Sequence, residues 1–137
     1  STLQGEWIEI QTGWEDDLVS TITNDVADPY DTFTSSGNAV SELIKTSVTT
    51  DAFATIDSIP VESGIRYRVT IDLEMSSGVE PSIQFAGSTY TDLEDGLNVW
   101  EGISSVTSAT HTGYIHSEET DQTDCRMTIT IQKAYGL

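Results

Sequence analysis

The feature that most constrains the fold is a long alternation of apolar and polar residues between Gly64 and Ser76. Apolar side chains occupy every second position of this segment, namely Ile65, Tyr67, Val69, Ile71, Leu73 and Met75. A period of two is typical of a β-strand with one buried face, because successive side chains of a strand point to opposite sides of the sheet. A second alternation, of Cys125, Met127, Ile129 and Ile131, predicts another such strand near the C-terminus. We therefore expect Cys125 to be a buried apolar side chain rather than a reactive thiol.

Shorter apolar and β-branched segments predict further strands at residues 6–11, 40–46, 53–58, 82–86, 97–102 and 112–117. The connecting segments are rich in Gly, Ser, Thr and Asp, as loops are, and no segment shows a helical period. About eight short strands with turn residues between them predict an all-β fold. We expect a two-sheet antiparallel jelly-roll β-sandwich that forms a single domain over residues 1–137.

The charge balance excludes several classes of partner. The chain has 5 Lys and Arg against 23 Asp and Glu, which gives a formal net charge of -18. Such a field repels the phosphates of nucleic acids and the headgroups of anionic membranes. We therefore expect no nucleic-acid partner and no membrane partner.

Residues that could carry catalysis or hold a metal are few. The chain has two histidines and one cysteine, and no serine-elbow, phosphate-loop or zinc-helix motif occurs in it. We expect no enzymatic activity and no catalytic residues. Asp92, Glu94 and Asp95 precede Gly96, and they are candidate oxygen ligands for a structural calcium ion. The alternative is that they belong to a solvated acidic surface, and no other cofactor is expected.

Aromatic side chains supply the candidate binding residues, which are Trp14, Tyr30 and Trp100. If they line a groove, their planar rings can stack on sugar rings, and Trp7 and Tyr90 are further candidates for such a platform. In a protein interface the same rings would lie at the centre, with acidic loops at the rim.

Several motifs follow one another in an order that resembles a known family. They are Trp7, Gly13-Trp14-Glu15, the segment 59–71, Ser82-Ile83-Gln84-Phe85-Ala86-Gly87, Thr112-Gly113-Tyr114 and the strand 127–132. This order is similar to that of the galactose-binding-like jelly rolls of carbohydrate-binding modules and of many tailed-bacteriophage structural proteins. The resemblance covers most of the chain and implies a β-sandwich that binds another macromolecule.

Together these features favour a non-enzymatic virion structural protein, most specifically a capsid decoration (cement) protein or accessory surface subunit. Its expected partners are other virion proteins, above all the major capsid protein, with self-association into a homo-oligomer as a further expectation. Its expected location is the virion surface. The alternative is an extracellular carbohydrate-binding module, or a receptor-binding domain of a fibre or glycoside hydrolase, with a surface glycan as the ligand.

Overall fold

The computed structural model describes residues 13–135, and it confirms the all-β prediction. The described residues form ten strands and no helix, so none of them belongs to a helix that could cross a membrane. The strands are β1 (Ile22–Asn24), β2 (Thr32–Ser36), β3 (Ala39–Lys45), β4 (Ala52–Val61), β5 (Arg66–Gly78), β6 (Ser82–Gln84), β7 (Thr91–Asp92), β8 (Gly96–Ile103), β9 (Ser108–Ser117) and β10 (Thr123–Lys133).

The strands form two five-stranded antiparallel sheets that pack as a sandwich. Sheet 1 has the order β1-β4-β9-β6-β7, and sheet 2 has the order β2-β3-β10-β5-β8. Without β1 and β2, the order β4-β9-β6-β7 faces the order β3-β10-β5-β8, which is the arrangement of an eight-stranded jelly roll. The predicted fold class is therefore confirmed, with two additional strands at one edge of the sandwich.

The core lies between the central strands of the two sheets. Strands β5 and β10 pair along eleven residues, from Thr123–Gly78 to Lys133–Tyr67. Their inward side chains Ile71 and Leu73 are 1% exposed, and Ile129 and Ile131 are fully buried. Each fully buried aliphatic side chain of this size stabilises the fold by about 1.5–3 kcal/mol. The predicted alternation in β5 is confirmed, with Ile65 and Met75 only partly buried near its ends.

Three strands are corrections to the sequence analysis: β2 and β7 lie in segments predicted as the loops 24–38 and 87–96, and β1, which was not predicted, ends where the first of these loops begins. They are short and polar, so the alternation that reveals a half-buried strand is weak in them. Strand β2 is defined by its hairpin with β3, in which Gly37 and Asn38 form the turn and Gly37 adopts a φ of 58°. The predicted strand at residues 6–11 lies outside the described residues.

Candidate functional site

Four ring side chains form a cluster on the outer face of sheet 1, and we call it the aromatic platform: Phe53, Tyr90, Tyr114 and His116. Phe53 stacks on His116 with ring centroids 4.5 Å apart. Tyr90 lies against the other side of the cluster, 5.2 Å from His116 between ring centroids. Tyr114 meets Phe53 edge-on at 6.4 Å. Tyr90 and Tyr114 remain 41% and 36% exposed, so the cluster presents two phenol rings to solvent.

Strand register places these side chains together. In the antiparallel pairing of β4 with β9, Phe53 lies opposite His116 and Thr55 lies opposite Tyr114. Residues directly opposite each other project from the same face of a sheet, about 4.5–5.5 Å apart at Cβ. The alternate residues Ala54 and Ile115 point inward and are fully buried. The rings of β4 and β9 are thus outward because the intervening residues fill the core.

Polar groups surround the platform and hold its rings. His116 Nε2 lies 3.1 Å from Asp51 Oδ1, and since an ionised carboxylate only accepts hydrogen bonds, Nε2 is the donor. Gln84 of β6 lies opposite Tyr114, so Thr55, Tyr114 and Gln84 form one row across three strands. Burial raises the pKa of Tyr90, so its hydroxyl group, already protonated at neutral pH in an ordinary tyrosine, stays a possible donor there.

A constrained turn after β6 leads the chain to Tyr90. Ala86 adopts a φ of 56°, in the left-handed region that costs a residue with a Cβ roughly 1 kcal/mol or more. The Ala86 N–H donates a 2.9 Å hydrogen bond to His111 Nε2, and the Gln84 amide donates to the Ser88 carbonyl oxygen at 2.9 Å. Burial lowers the pKa of His111, which keeps Nε2 free to accept this bond. The turn is therefore fixed from two sides before the chain reaches Tyr90.

The positive charges of the chain all lie in sheet 2. Lys45 is in β3, Arg66 and Arg68 are in β5, and Arg126 and Lys133 are in β10. The strands of sheet 1 therefore carry no Lys or Arg, while Asp51 and Asp57 lie in or beside β4. Because like charges repel, the platform is suited to a neutral ligand rather than to a phosphate or sulfate group.

The three predicted binding residues occupy three separate places. Tyr30 is 2% exposed, and its hydroxyl oxygen lies 2.9 Å from Ser117 Oγ, so its ring belongs to the core and offers no face to a ligand. Trp14 is covered by Arg68, whose guanidinium carbon lies 4.7 Å from the ring centroid. Trp100 lines a cleft between the two sheets. The structure does not bring these rings together, and we leave Tyr30 out of the candidate site.

The acidic residues considered as calcium ligands serve other contacts or face solvent. Asp95 Oδ1 accepts a hydrogen bond from the Met75 N–H at 3.0 Å. The Glu94 N–H donates to Asn98 Oδ1 at 2.9 Å, and the Glu94 side chain is exposed, as is Asp92. Within residues 13–135, no group of three or more His, Cys, Asp or Glu side chains is arranged to hold a metal ion.

Sequence reasoning missed most of the platform. Phe53, Tyr114 and His116 lie in the predicted strands 53–58 and 112–117, and the sequence analysis gives none of them a binding role. The feature that could have revealed the platform is that Phe53 and His116 lie opposite each other on neighbouring strands. Recognising it requires the register of β4 and β9, which the sequences of the two segments do not give. Tyr90 alone was recognised as a candidate platform residue.

No protein-family model matches the chain, and no curated protein sequence matches it. Among solved structures, it is similar to the N-terminal cellulose-binding domain of β-1,4-glucanase C from Cellulomonas fimi, with 15% identity, a TM-score of 0.45 and coverage of 91% of each chain. It is also similar to the enzymatically active domain of tailspike protein 4 of bacteriophage CBA120, with 15% identity and a TM-score of 0.45 over 88% of this chain and 19% of that chain. These are the two kinds of protein named by the sequence resemblance. At such identities and TM-scores, neither similarity carries an argument about what this chain binds.

Proposed function

We propose that the chain is a carbohydrate-binding domain of an extracellular or virion-surface protein, and that it binds without catalysis. The observation that carries the proposal is the aromatic platform, in which Tyr90 and Tyr114 stay exposed on a sheet face while Phe53 and His116 support them.

The chemistry of the platform suits a sugar. A pyranose ring has an apolar face of C–H groups that packs on an aromatic ring, and hydroxyl groups at its edge that need hydrogen-bond partners. Thr55 and Gln84 lie beside Tyr114 in the same row, and Asp51 lies beside His116. These side chains supply donors and acceptors on both sides of the exposed rings.

Charge separates a sugar from the other ligand that stacks on aromatic rings, a single-stranded nucleic acid. Binding of that kind needs a positively charged groove beside the rings. The Lys and Arg residues all lie in sheet 2, so a platform on sheet 1 favours an uncharged glycan.

The test begins with an array of neutral, amino and acidic glycans, followed by calorimetric titration of the best neutral ligand. Tyr114→Ala is expected to weaken that binding at least about tenfold, equivalent to about 1.4 kcal/mol. Tyr135→Ala is the matched control, because Tyr135 is 54% exposed and lies beyond β10, and it should leave the affinity unchanged. Absence of any neutral ligand, or equal loss in both variants, contradicts the proposal. Incubation of the bound glycan with the protein should yield no product.

The decoration-protein function remains a competing prediction from the sequence. It requires that isolated protein binds assembled capsid shells far better than free capsid subunits, because weak contacts add up on a lattice. Tight binding to shells with no affinity for any glycan would favour it over the carbohydrate proposal.

A further inference from the structure

Strand β8 forms an outer edge of sheet 2. It pairs with β5 from Gly96–Leu73 to Ile103–Arg66 with no break in register, and no strand of the described structure pairs with its other side. Three aliphatic side chains on its outer face, Leu97, Val99 and Ile103, are 70%, 56% and 57% exposed. The strand thus combines unpaired backbone groups with an exposed apolar stripe.

The other edges of the sandwich are built differently. Strand β1 has three residues and β7 has two, so both are too short to pair with a long segment. Strand β2 is polar and its pairing with β3 contains a register shift between Thr34 and Ser35. Proteins commonly protect edges by shortness, irregularity, Lys or Pro. Strand β8 has eight residues with none of these features, and its one charged residue is Glu101.

The inner face of β8 borders a cleft of about 270 Å³ between the sheets, which we call the edge cleft. Its walls include Trp100, Phe85 and Leu93, and Asp92 and Glu94 lie at its opening. The Trp100 indole lies directly over Gly102, two residues along the same strand. A Cβ atom at Gly102 would overlap the six-membered ring. Glycine at this position therefore lets the indole lie flat along the wall.

Charge indicates what can cover this edge. Asp92, Glu94 and Glu101 are exposed, and none of them forms a salt bridge among the described residues, although Arg68 of β5 lies opposite Glu101 in the strand pairing, so the carboxylates outnumber the one Arg that faces them. A second copy of the chain would bring the same carboxylates together across the contact, where like charges repel. A segment with Lys or Arg residues would instead be attracted to this edge.

We propose that β8 and the edge cleft form a docking site for an extended, basic segment of a partner protein, which adds to sheet 2 as a further strand. Backbone hydrogen bonds to β8 supply the affinity, and an apolar side chain of the segment enters the edge cleft against Trp100. The Lys or Arg side chains of the segment, which alternate with its apolar side chains, pair with the exposed carboxylates of this edge, which we call the rim: Asp92, Glu94 and Glu101. The added strand would extend sheet 2 and the edge cleft opens between the two sheets, whereas the aromatic platform lies on the outer face of sheet 1.

The probe is a synthetic seven-residue peptide that alternates Lys with Val, Phe and Val, titrated into isotopically labelled protein. We expect amide shifts and slowed hydrogen exchange in residues 96–103. Two matched peptides test the mechanism: one with Glu in place of Lys, and one with N-methyl groups on alternate amides. Both should bind at least tenfold more weakly, because the first repels the rim and the second cannot complete a strand ladder.

The matched protein variants are Val99→Lys and Val48→Lys, since the two valines are 56% and 52% exposed and the charge change is the same. Val99→Lys should lower the affinity for the basic peptide at least tenfold, and Val48→Lys should lower it less than twofold. Thermal unfolding of both variants checks that the fold is kept. Absence of shifts in β8, or equal binding of either matched peptide, overturns the proposal. Concentration-dependent dimerisation that Val99→Lys abolishes would overturn it in favour of a second copy.

Discussion

The Phe53 ring stacks on the His116 imidazole, with centroids 4.5 Å apart and an interplanar angle of 21°. The two residues are direct cross-strand partners in β4 and β9. His116 is held from a second side by Asp51 and carries Tyr90 against its remaining surface. The exposed phenol of Tyr90 therefore rests on a support fixed by sheet register, which lowers the entropy lost when a ligand stacks on it.

Replacing Lys45 by Met should destabilise the fold strongly. Lys45 is 2% exposed, and its Nζ donates to the carbonyl oxygens of Ser47, Asp121 and Glu119 at 2.6, 2.8 and 3.0 Å. Its loss leaves these acceptors without a donor, and we expect a decrease of about 3 kcal/mol in the free energy of unfolding. Urea denaturation measures it.

The control is Arg126→Met, which also removes one positive charge. Arg126 and its partner Glu74 have side chains that are 61% and 65% exposed, so solvent screens their ion pair. This variant should unfold at nearly the wild-type urea concentration. Similar losses in the two variants would show that net charge, rather than the three carbonyl contacts, explains the effect.

Acidification should weaken the fold through His111. Burial lowers the pKa of His111 in the folded state, whereas an unfolded histidine titrates near about 6.5. Neutral His111 contributes fully to the free energy of unfolding above that pH, and this contribution is lost as the pH falls below it. The reason is that protonated Nε2 is a donor and can no longer accept the hydrogen bond from the Ala86 N–H. Between pH 7.5 and 5.5, wild type should lose more unfolding free energy than His111→Gln. Parallel pH profiles of the two proteins would contradict this.

Ile71 lies in the hydrophobic core between the two sheets and is 1% exposed. Ile71→Ala should lower the free energy of unfolding by about 2–4 kcal/mol, through lost burial and the cavity left behind. Asp72→Ala, at the exposed neighbour, is the control and should change it little. Denaturant titration of both variants measures the two free energies of unfolding. Equal losses would contradict the assignment of Ile71 to the inner face of β5 and Asp72 to the outer face.

Cys125 should react slowly in the native protein. It is 2% exposed, and burial raises the pKa of its thiol to about 11, so little reactive thiolate is present at neutral pH. A thiol reagent monitored by absorbance should label the folded protein slowly and the protein in denaturant quickly. Rapid stoichiometric labelling of the native protein would show that Cys125 is accessible.

The strands with strong alternation were predictable from sequence, and the aromatic platform was not. In β5 and β10, apolar residues such as Ile71 and Ile129 occur at every second position, and this pattern indicates a strand with one buried face. Strand β2 has little such period, since its position depends on a Gly37-Asn38 turn and on pairing with β3. Tyr30 illustrates the same limit. Nothing near it in sequence reveals that its hydroxyl group forms a hydrogen bond in the core with Ser117, 87 residues away.

The central claim is that the aromatic platform binds a sugar, and mapping of a glycan complex by NMR tests it most directly. Saturation with the best neutral ligand from the array should shift the signals of Tyr90, Tyr114, His116 and the neighbouring Thr55 and Gln84. Residues on the outer face of sheet 2, such as Asp72 and Arg126, should be unchanged. Shifts confined to sheet 2 or to the edge cleft, with the platform signals unmoved, would contradict the account.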